Sequence, residues 1–358
     1  MTTPPTALLR MIHAQADALD LVADQDVSAA AERLGAARRV IVVGTGTSQH
    51  AAELGALLLE QAGLDARWHS GAHAARWAAA PREGDVLLVI THTAETAYAV
   101  RARAAALALG VPVVSITGQD KGWPEAVETV TAEESETYTV SYTSALGVLA
   151  RMAHHLGAPE GSPDQLRQTA EAVRAVCAAP GLEEVPVPTR ILTLIGCGPW
   201  GVTAREGALK IREAARMLAE GFESDRFLHG AAVPLTAADG LLVLEPAADV
   251  DGLTAALGEA AAQESIPVTT LATDPGAPAL PPVLAQIPLT VRLQLLAERF
   301  AVLRHQDPDV AIVGAWAESD LWATGLPDEA ERAAAAKAAE AAVAAEAAVA
   351  GEAAVAAR

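Results

Sequence analysis

The 358-residue chain carries a formal charge of −20, which argues against broad nucleic-acid binding because neutralising phosphate needs clustered cations. Hydrophobic residues make up 51% and aromatics only 3%, so aliphatic side chains must build the core. No apolar run reaches the length of a membrane span, and two cysteines, Cys177 and Cys197, make no disulfide framework and suit a reducing cytoplasm.

An amphipathic stretch from Ala7 to Val22 predicts a leading helix. Strand–helix alternation then begins with a buried strand at Arg39–Gly44 and a helix near His50–Gln61. A strand at Val86–Ile90, a helix over Glu95–Leu109, a strand at Pro112–Ile116 and a helix over Thr139–Leu156 complete the unit. Such alternation predicts a parallel sheet covered on both faces. Residues 157–188 are richer in Pro, Gly and charge and read as a connector, with one helical stretch over Gln165–Cys177. The alternation restarts with a strand at Arg190–Gly196 and a helix over Val202–Leu218, followed by strands at Gly240–Leu244, Pro267–Leu271 and Gln286–Val291. The repeated order of elements predicts two copies of one α/β domain.

The expected boundaries are 1–29 for the leading helix, 30–160 for the first domain, 161–188 for the connector, 189–322 for the second domain and 323–358 for a tail. The tail is Ala, Glu and Val, with a hexad starting at Glu340, Glu346 and Glu352. Six residues at 100° each leave the Val residues spiralling round the helix without a common face, which predicts a solvated or frayed helix. The N-terminus, Met-Thr-Thr-Pro-Pro, shows no export signal. A cytoplasmic location is expected.

Lysine is rare: Lys121, Lys210 and Lys337 stand against 22 arginines. A titratable amine suits proton transfer or imine formation. Lys210 and Glu213 are three apart and share a helix face, with His229 following after a break. The same pair would also serve as an ordinary surface ion pair.

Two loops could hold an anion. Gly44-Thr45-Gly46-Thr47-Ser48 and Thr91-His92-Thr93-Ala94-Glu95-Thr96 each run from a strand into a helix. Backbone N–H groups and hydroxyls there can bind phosphate without any Lys, although the same residues also serve as helix caps. Dinucleotide binding fits less well. Gly44-Thr-Gly46-Thr-Ser-Gln49 lacks the third Gly of that fingerprint. Gly196-Cys-Gly198-Pro-Trp-Gly201 has the spacing, but Pro199 and Trp200 are bulky and no acidic residue is read at the end of the next strand. No cofactor is expected. No metal site is expected either, the best histidine pair being His69/His73 on a surface loop.

Together these segments resemble the double-SIS (sugar isomerase) family over about residues 5–320. The most specific part is Glu206-Gly-Ala-Leu-Lys210-Ile-Arg-Glu213, followed by Ala219-Glu220 and Phe227-Leu-His229-Gly230. The resemblance implies two flavodoxin-like parallel sheets flanked by helices, followed by an Ala-rich tail. It implies a catalytic set of Glu213, Lys210, His229 and Glu206: Glu213 as the base between C1 and C2, Lys210 as its charged partner, and His229 for ring opening, reaching the site from a second subunit of a homodimer. Thr47, Ser48, Thr91, His92, Thr93 and Thr96 would hold the sugar phosphate, with Gly46 and Glu133 as further substrate-binding positions.

Several positions depart from the family pattern. Val140 stands for a Lys after Thr139, Ala94 for a Gly, His92 for a Gln and Arg226 for a Glu. Trp316 falls near the position of an imine-forming Lys beyond Asp307-Pro-Asp309, and a glutaminase domain ahead of the two sugar-isomerase halves is not expected. The resemblance therefore implies a phosphosugar aldose–ketose isomerase working through an enediol. An aminosugar-phosphate deaminase or aminating isomerase, and a non-catalytic sugar-phosphate-binding regulator, are the alternatives.

Overall fold

The computed structural model describes residues 4–129, 132–273 and 279–356. In chain order the elements are α1 (Ala7–Ala23), α2 (Ser28–Gly35), β1 (Arg39–Gly44), α3 (Thr47–Gln61), β2 (Ala66–Ser70), α4 (Gly71–Arg76), β3 (Asp85–Ile90) and α5 (Ala97–Ala108). Then come β4 (Val113–Thr117), β5 (Ala126–Glu128), α6 (Val140–His155), α7 (Pro163–Ala178), β6 (Leu192–Gly196), α8 (Trp200–Ala215), β7 (Ala219–Glu223) and α9 (Ser224–Arg226). The chain ends with β8 (Gly240–Leu244), α10 (Leu253–Gln263), β9 (Val268–Leu271), α11 (Gln286–Leu303), α12 (Ser319–Ala323) and α13 (Glu329–Ala356). Both sheets are wholly parallel and flanked by helices, with strand orders β2-β1-β3-β4-β5 and β7-β6-β8-β9.

The chain divides into two compact units. One comprises 25–132, 148–161 and 315–358 and holds the five-stranded sheet. Val42, Val43, Leu88 and Val89 are fully buried, because a sheet covered on both faces needs apolar side chains pointing each way. On one face Ile41, Val43, Leu87 and Val89 pack with Ala99, Ala102 and Ala106 of α5.

The tail differs from expectation. Ala335 and Ala339 of α13 are buried in that same cluster. Four residues apart, they present a small-residue face that lets α13 lie close on the Ala-rich α5. The Val-containing hexads come later, so their lack of a common face did not decide how the helix docks.

The other unit comprises 1–24, 133–147 and 162–314 and holds the four-stranded sheet. Ile195, Leu241 and Val243 meet Phe227, Leu257 and Ile266 on one face. Helix α7, in the stretch read as a connector, starts with a full capping box between Ser162 and Gln165. Its Arg174 bridges Asp17 and Asp20 of α1.

The expected strand Gln286–Val291 is instead the start of α11. Pro288 sits in the first turn, where its missing N–H costs no helical bond. Residues 286 to 294 are all buried, so the helix is enclosed on every side and its sequence shows no amphipathic period to separate it from a buried strand. Strands β2, β5 and β7 were not foreseen: Arg67, His69 and Ser70 interrupt any apolar run in β2, Glu220 and Glu223 do so in β7, and β5 is three residues long. The missing acidic residue is also corrected, since β7 is the strand after Gly201 and ends on Glu223.

Candidate active site

Helix α8 carries the Glu206–Glu213 segment, and its seating on the sheet depends on glycine. A Cβ on Gly207 would come within 2.5 Å of Leu293 on α11, and one on Gly221 of β7 within 2.3 Å of the Ala204 backbone. These absent side chains let α11 and β7 close over α8.

At the centre lies Lys210, fully buried. Its Nζ is 2.6 Å from Glu213 Oε2 and 3.7 Å from Glu206 Oε1, and it donates to the Tyr138 carbonyl at 3.0 Å. Burial pulls the ammonium's pKa down, but Glu213 and Glu206, with Glu133 adding, outweigh it and hold the pKa above its ordinary value. Lys210 and Glu206 have side chains 0% exposed, whereas Glu213 keeps 20%. Burial raises the Glu213 pKa, only partly offset by Lys210. The cluster is thus a sealed cation with two carboxylates, of which Glu213 meets solvent.

Glu133 belongs to the same unit. Its Oε1 accepts from Thr139 N (2.6 Å), Ser141 N (2.9 Å) and Ser141 Oγ (2.9 Å), so the carboxylate sits on the start of α6. Burial pushes its pKa up, against these donors and the Lys210 charge. The Asp307-Pro-Asp309 stretch is a brace: Asp309 accepts from Ala7 N and Leu8 N at the start of α1, and the Pro308 carbonyl accepts from Ser135 and Thr137 hydroxyls. That brace fixes the segment whose Tyr138 carbonyl receives Lys210. His229 is 74% exposed, with Nε2 3.6 Å from Asp225 Oδ1.

The hydroxyl loops lie in the other unit, at the carboxyl ends of β1 and β3, where open parallel sheets hold ligands. Gly46 and Thr96 are the N-cap residues of α3 and α5, and neither helix start receives a side-chain cap. Capping therefore does not account for the hydroxyls. Thr47 and Ser48 form the first turn of α3. Thr91 is buried and its hydroxyl donates to Thr96 Oγ1 (3.3 Å), while Thr93 Oγ1 accepts from Glu95 N (3.2 Å).

Ala94, a position where the resemblance implies Gly, has φ 58°. Left-handed strain costs roughly 1–2 kcal/mol, and the freer unfolded chain of a Gly variant offsets about half. Ala94→Gly is therefore expected to stabilise the protein by about 0.5–1 kcal/mol in urea denaturation.

At His92, burial, with the Lys121 charge adding, lowers the pKa to about 4. The ring is neutral at pH 7 and would offer an anion hydrogen bonds without charge. Between the unfolded value of about 6.5 and the folded value the unfolded chain binds the extra proton, so stability falls as pH drops through this window. An NMR titration of the His92 ring is expected to give a midpoint of about 4, set chiefly by its burial.

His69 and His73 are not on a loop. They lie on β2 and α4, with ring centroids 4.9 Å apart. Among the described residues no group of three or more His, Cys, Asp or Glu could hold a metal ion. No helix among them is long and apolar enough to cross a membrane. Trp200, bulky at the Gly196–Gly201 turn, forms part of the wall of a cavity of about 690 Å³ with Ala272, Leu289 and Arg292.

Residues 34–152 match the family described as the SIS domain. This region is a SIS domain. The chain is 28% identical over 306 residues to the glutamine–fructose-6-phosphate aminotransferase (isomerizing) of Pyrococcus horikoshii, covering 76% of this chain and 50% of that protein. It is 26% identical over 342 residues to the enzyme of the same name from Pyrobaculum aerophilum, covering 85% and 56%. The chain spans about half the length of the curated relatives it matches. In fold it is similar to the tagatose-6-phosphate ketose/aldose isomerase of Escherichia coli (TM-score 0.73, 17% identity, 87% of this chain and 99% of that one). It is also similar to the glucosamine-6-phosphate deaminase of Thermotoga maritima (TM-score 0.69, 17% identity, 85% and 97%). The hydroxyl loops Gly44–Ser48 and Thr91–Thr96 both fall inside the SIS domain, whereas Lys210 and its carboxylates lie beyond the matched residues.

Proposed function

We propose that the protein is a phosphosugar isomerase that interconverts an aldose and a ketose phosphate through an enediol, with Glu213 as the base. The observation that carries this reading is the unequal exposure of the α8 cluster: Glu206 and Lys210 are sealed, while Glu213 reaches solvent with a raised pKa. A carboxylate so placed can take a proton from carbon and return it to the neighbouring carbon. Lys210 holds it in place and balances its charge.

The sealing of Lys210 also separates isomerisation from imine chemistry. An amine that is 0% exposed, ion-paired and bonded to the Tyr138 carbonyl is not available to a sugar carbonyl. Trp316, at about the position of the imine-forming Lys, offers none either. This favours plain isomerisation over deamination or amination.

The uncapped helix starts and hydroxyls of the SIS domain support phosphate binding through Thr47, Ser48, Thr93 and Thr96, with the buried Thr91 positioning Thr96. The second parallel sheet, in the order β7-β6-β8-β9, supports a second domain of the same type. His229, 74% exposed, is assigned to the site of a second copy in a homodimer. The test is NMR in deuterated water with fructose 6-phosphate: an isomerase exchanges the C1 or C2 proton, a deaminase releases ammonia from glucosamine 6-phosphate, and a regulator binds without either.

A further inference from the structure

The cavity beside Trp200 takes no part in the proposed chemistry, and none of Glu206, Lys210 and Glu213 lines it. It encloses about 690 Å³, an ordinary volume for a small-molecule site, and lies wholly in the unit with the four-stranded sheet. Trp200 stands four residues beyond β6, Glu245 directly beyond β8, and Ala272 and Thr273 directly beyond β9. The cavity is thus at the carboxyl ends of parallel strands, where such sheets hold ligands.

Apart from the exposed Glu171 on α7, the charged groups of the wall gather at one end. Arg292 of α11, 8% exposed, donates from Nη1 to the Ala272 carbonyl at 2.8 Å. On the next residue, Thr273 N and Oγ1 donate to Glu245 Oε2 at 2.6 and 2.7 Å. A guanidinium and a carboxylate are therefore anchored on consecutive residues. A guanidinium carries five N–H donors and a carboxylate about four acceptor sites, of which Thr273 uses two. Glu245 is held at φ 41° and ψ 56°, a left-handed backbone that costs energy for any residue but glycine, and such strain concentrates at ligand sites. Away from this end the wall is apolar, with Val176, Trp200, Leu280 and Leu289.

We propose that this cavity binds a zwitterion with an apolar body, the chemistry of an amino acid with a large side chain. Arg292 takes the α-carboxylate, Glu245 takes the α-ammonium, and the side chain packs on Trp200, Leu280 and Leu289. A wall with one charge of each sign on neighbouring anchors matches a ligand that carries both. A phosphate suits it poorly. The residues beyond β6 and β8 are Cys197-Gly198-Pro199 and Glu245-Pro246-Ala247, without the hydroxyls that follow β1 and β3, and the Glu245 carboxylate would repel a second anion.

The test is calorimetric titration of the full chain with L-tryptophan, with tryptamine, which lacks the carboxylate, and with indole-3-propionate, which lacks the ammonium. L-Tryptophan is expected to bind at least about tenfold more tightly than either analogue, since each forgoes a charge-assisted hydrogen bond. Glu245→Gln is expected to weaken L-tryptophan about tenfold and to leave indole-3-propionate within about twofold. Ala175→Trp, at an exposed position on α7 that lines the cavity, fills the space and is expected to weaken all three without disturbing the fold. The proposal is overturned if L-tryptophan does not bind, binds no more tightly than its analogues, or is indifferent to Ala175→Trp. Equal weakening of L-tryptophan and indole-3-propionate by Glu245→Gln would also overturn it, because Glu245 would then not hold the ammonium.

Discussion

Glu213→Gln is expected to slow proton exchange into fructose 6-phosphate by about 10²–10⁴-fold, the usual contribution of a positioned general base. Gln keeps the size of the side chain and an oxygen to face Lys210, 2.6 Å away in the native pair, but cannot accept a proton from carbon at neutral pH. The loss is expected in kcat, with KM little changed, because Glu213 acts on the reacting carbons. The native pH profile follows from the raised Glu213 pKa. The base form is required, so the rate climbs as pH rises through that pKa and then levels. A Glu213→Gln variant that exchanges at the native rate would place the base on another residue.

Lys210→Met is expected to destabilise the fold by about 3–5 kcal/mol, because removing one partner of a buried ion pair leaves the other uncompensated. Here two carboxylates lose their cation, and Glu206 is fully buried. Met fills similar space, so the cost is electrostatic and the deficit is expected to depend on pH. With the ammonium gone, burial acts on Glu213 without the Lys210 charge that offsets it, and the raised pKa of that carboxyl rises further. The variant therefore regains stability as pH falls and protonates the acid, and loses it as pH rises. In the native protein the Lys210 pKa is held above normal, so its contribution persists through neutral pH and is lost only as pH climbs through the folded value. Urea denaturation of both proteins at pH 5 and 8 checks this. An equal gap at both pH values would mean that packing, and not charge, explains the loss.

Much of the framework was legible because strand and helix periods are local. The strand cores at 39–44 and 240–244, the helices on either side and the anion loops all follow from runs of four to sixteen residues. The errors share one cause. Gln286–Val291 looked like a strand because a helix enclosed on all sides shows no amphipathic stripe. Ala219–Glu223 gave no strand signal because its charged residues break any apolar run, while the property that seats it is the missing side chain at Gly221, opposite Ala204. The α13 helix was read from its Val repeat, yet Ala335 and Ala339 are what dock it.

For the site, the sequence by itself determined that Glu206, Lys210 and Glu213 share one face of α8, since i, i+3 and i+4 positions on a helix are neighbours. It also determined that the hydroxyls of Thr47, Ser48 and Thr96 stand at helix starts. Only the tertiary structure decided that Lys210 is sealed, that Glu213 alone of the three meets solvent, and that Glu133 sits on the start of α6. It also decided that Gly325 lies against the Tyr98 ring. Helical spacing sets the direction in which a side chain leaves its own element. Whether that direction ends in water or against Tyr138 and α11 depends on segments seventy or more residues away, and Gly207 permits the approach of α11.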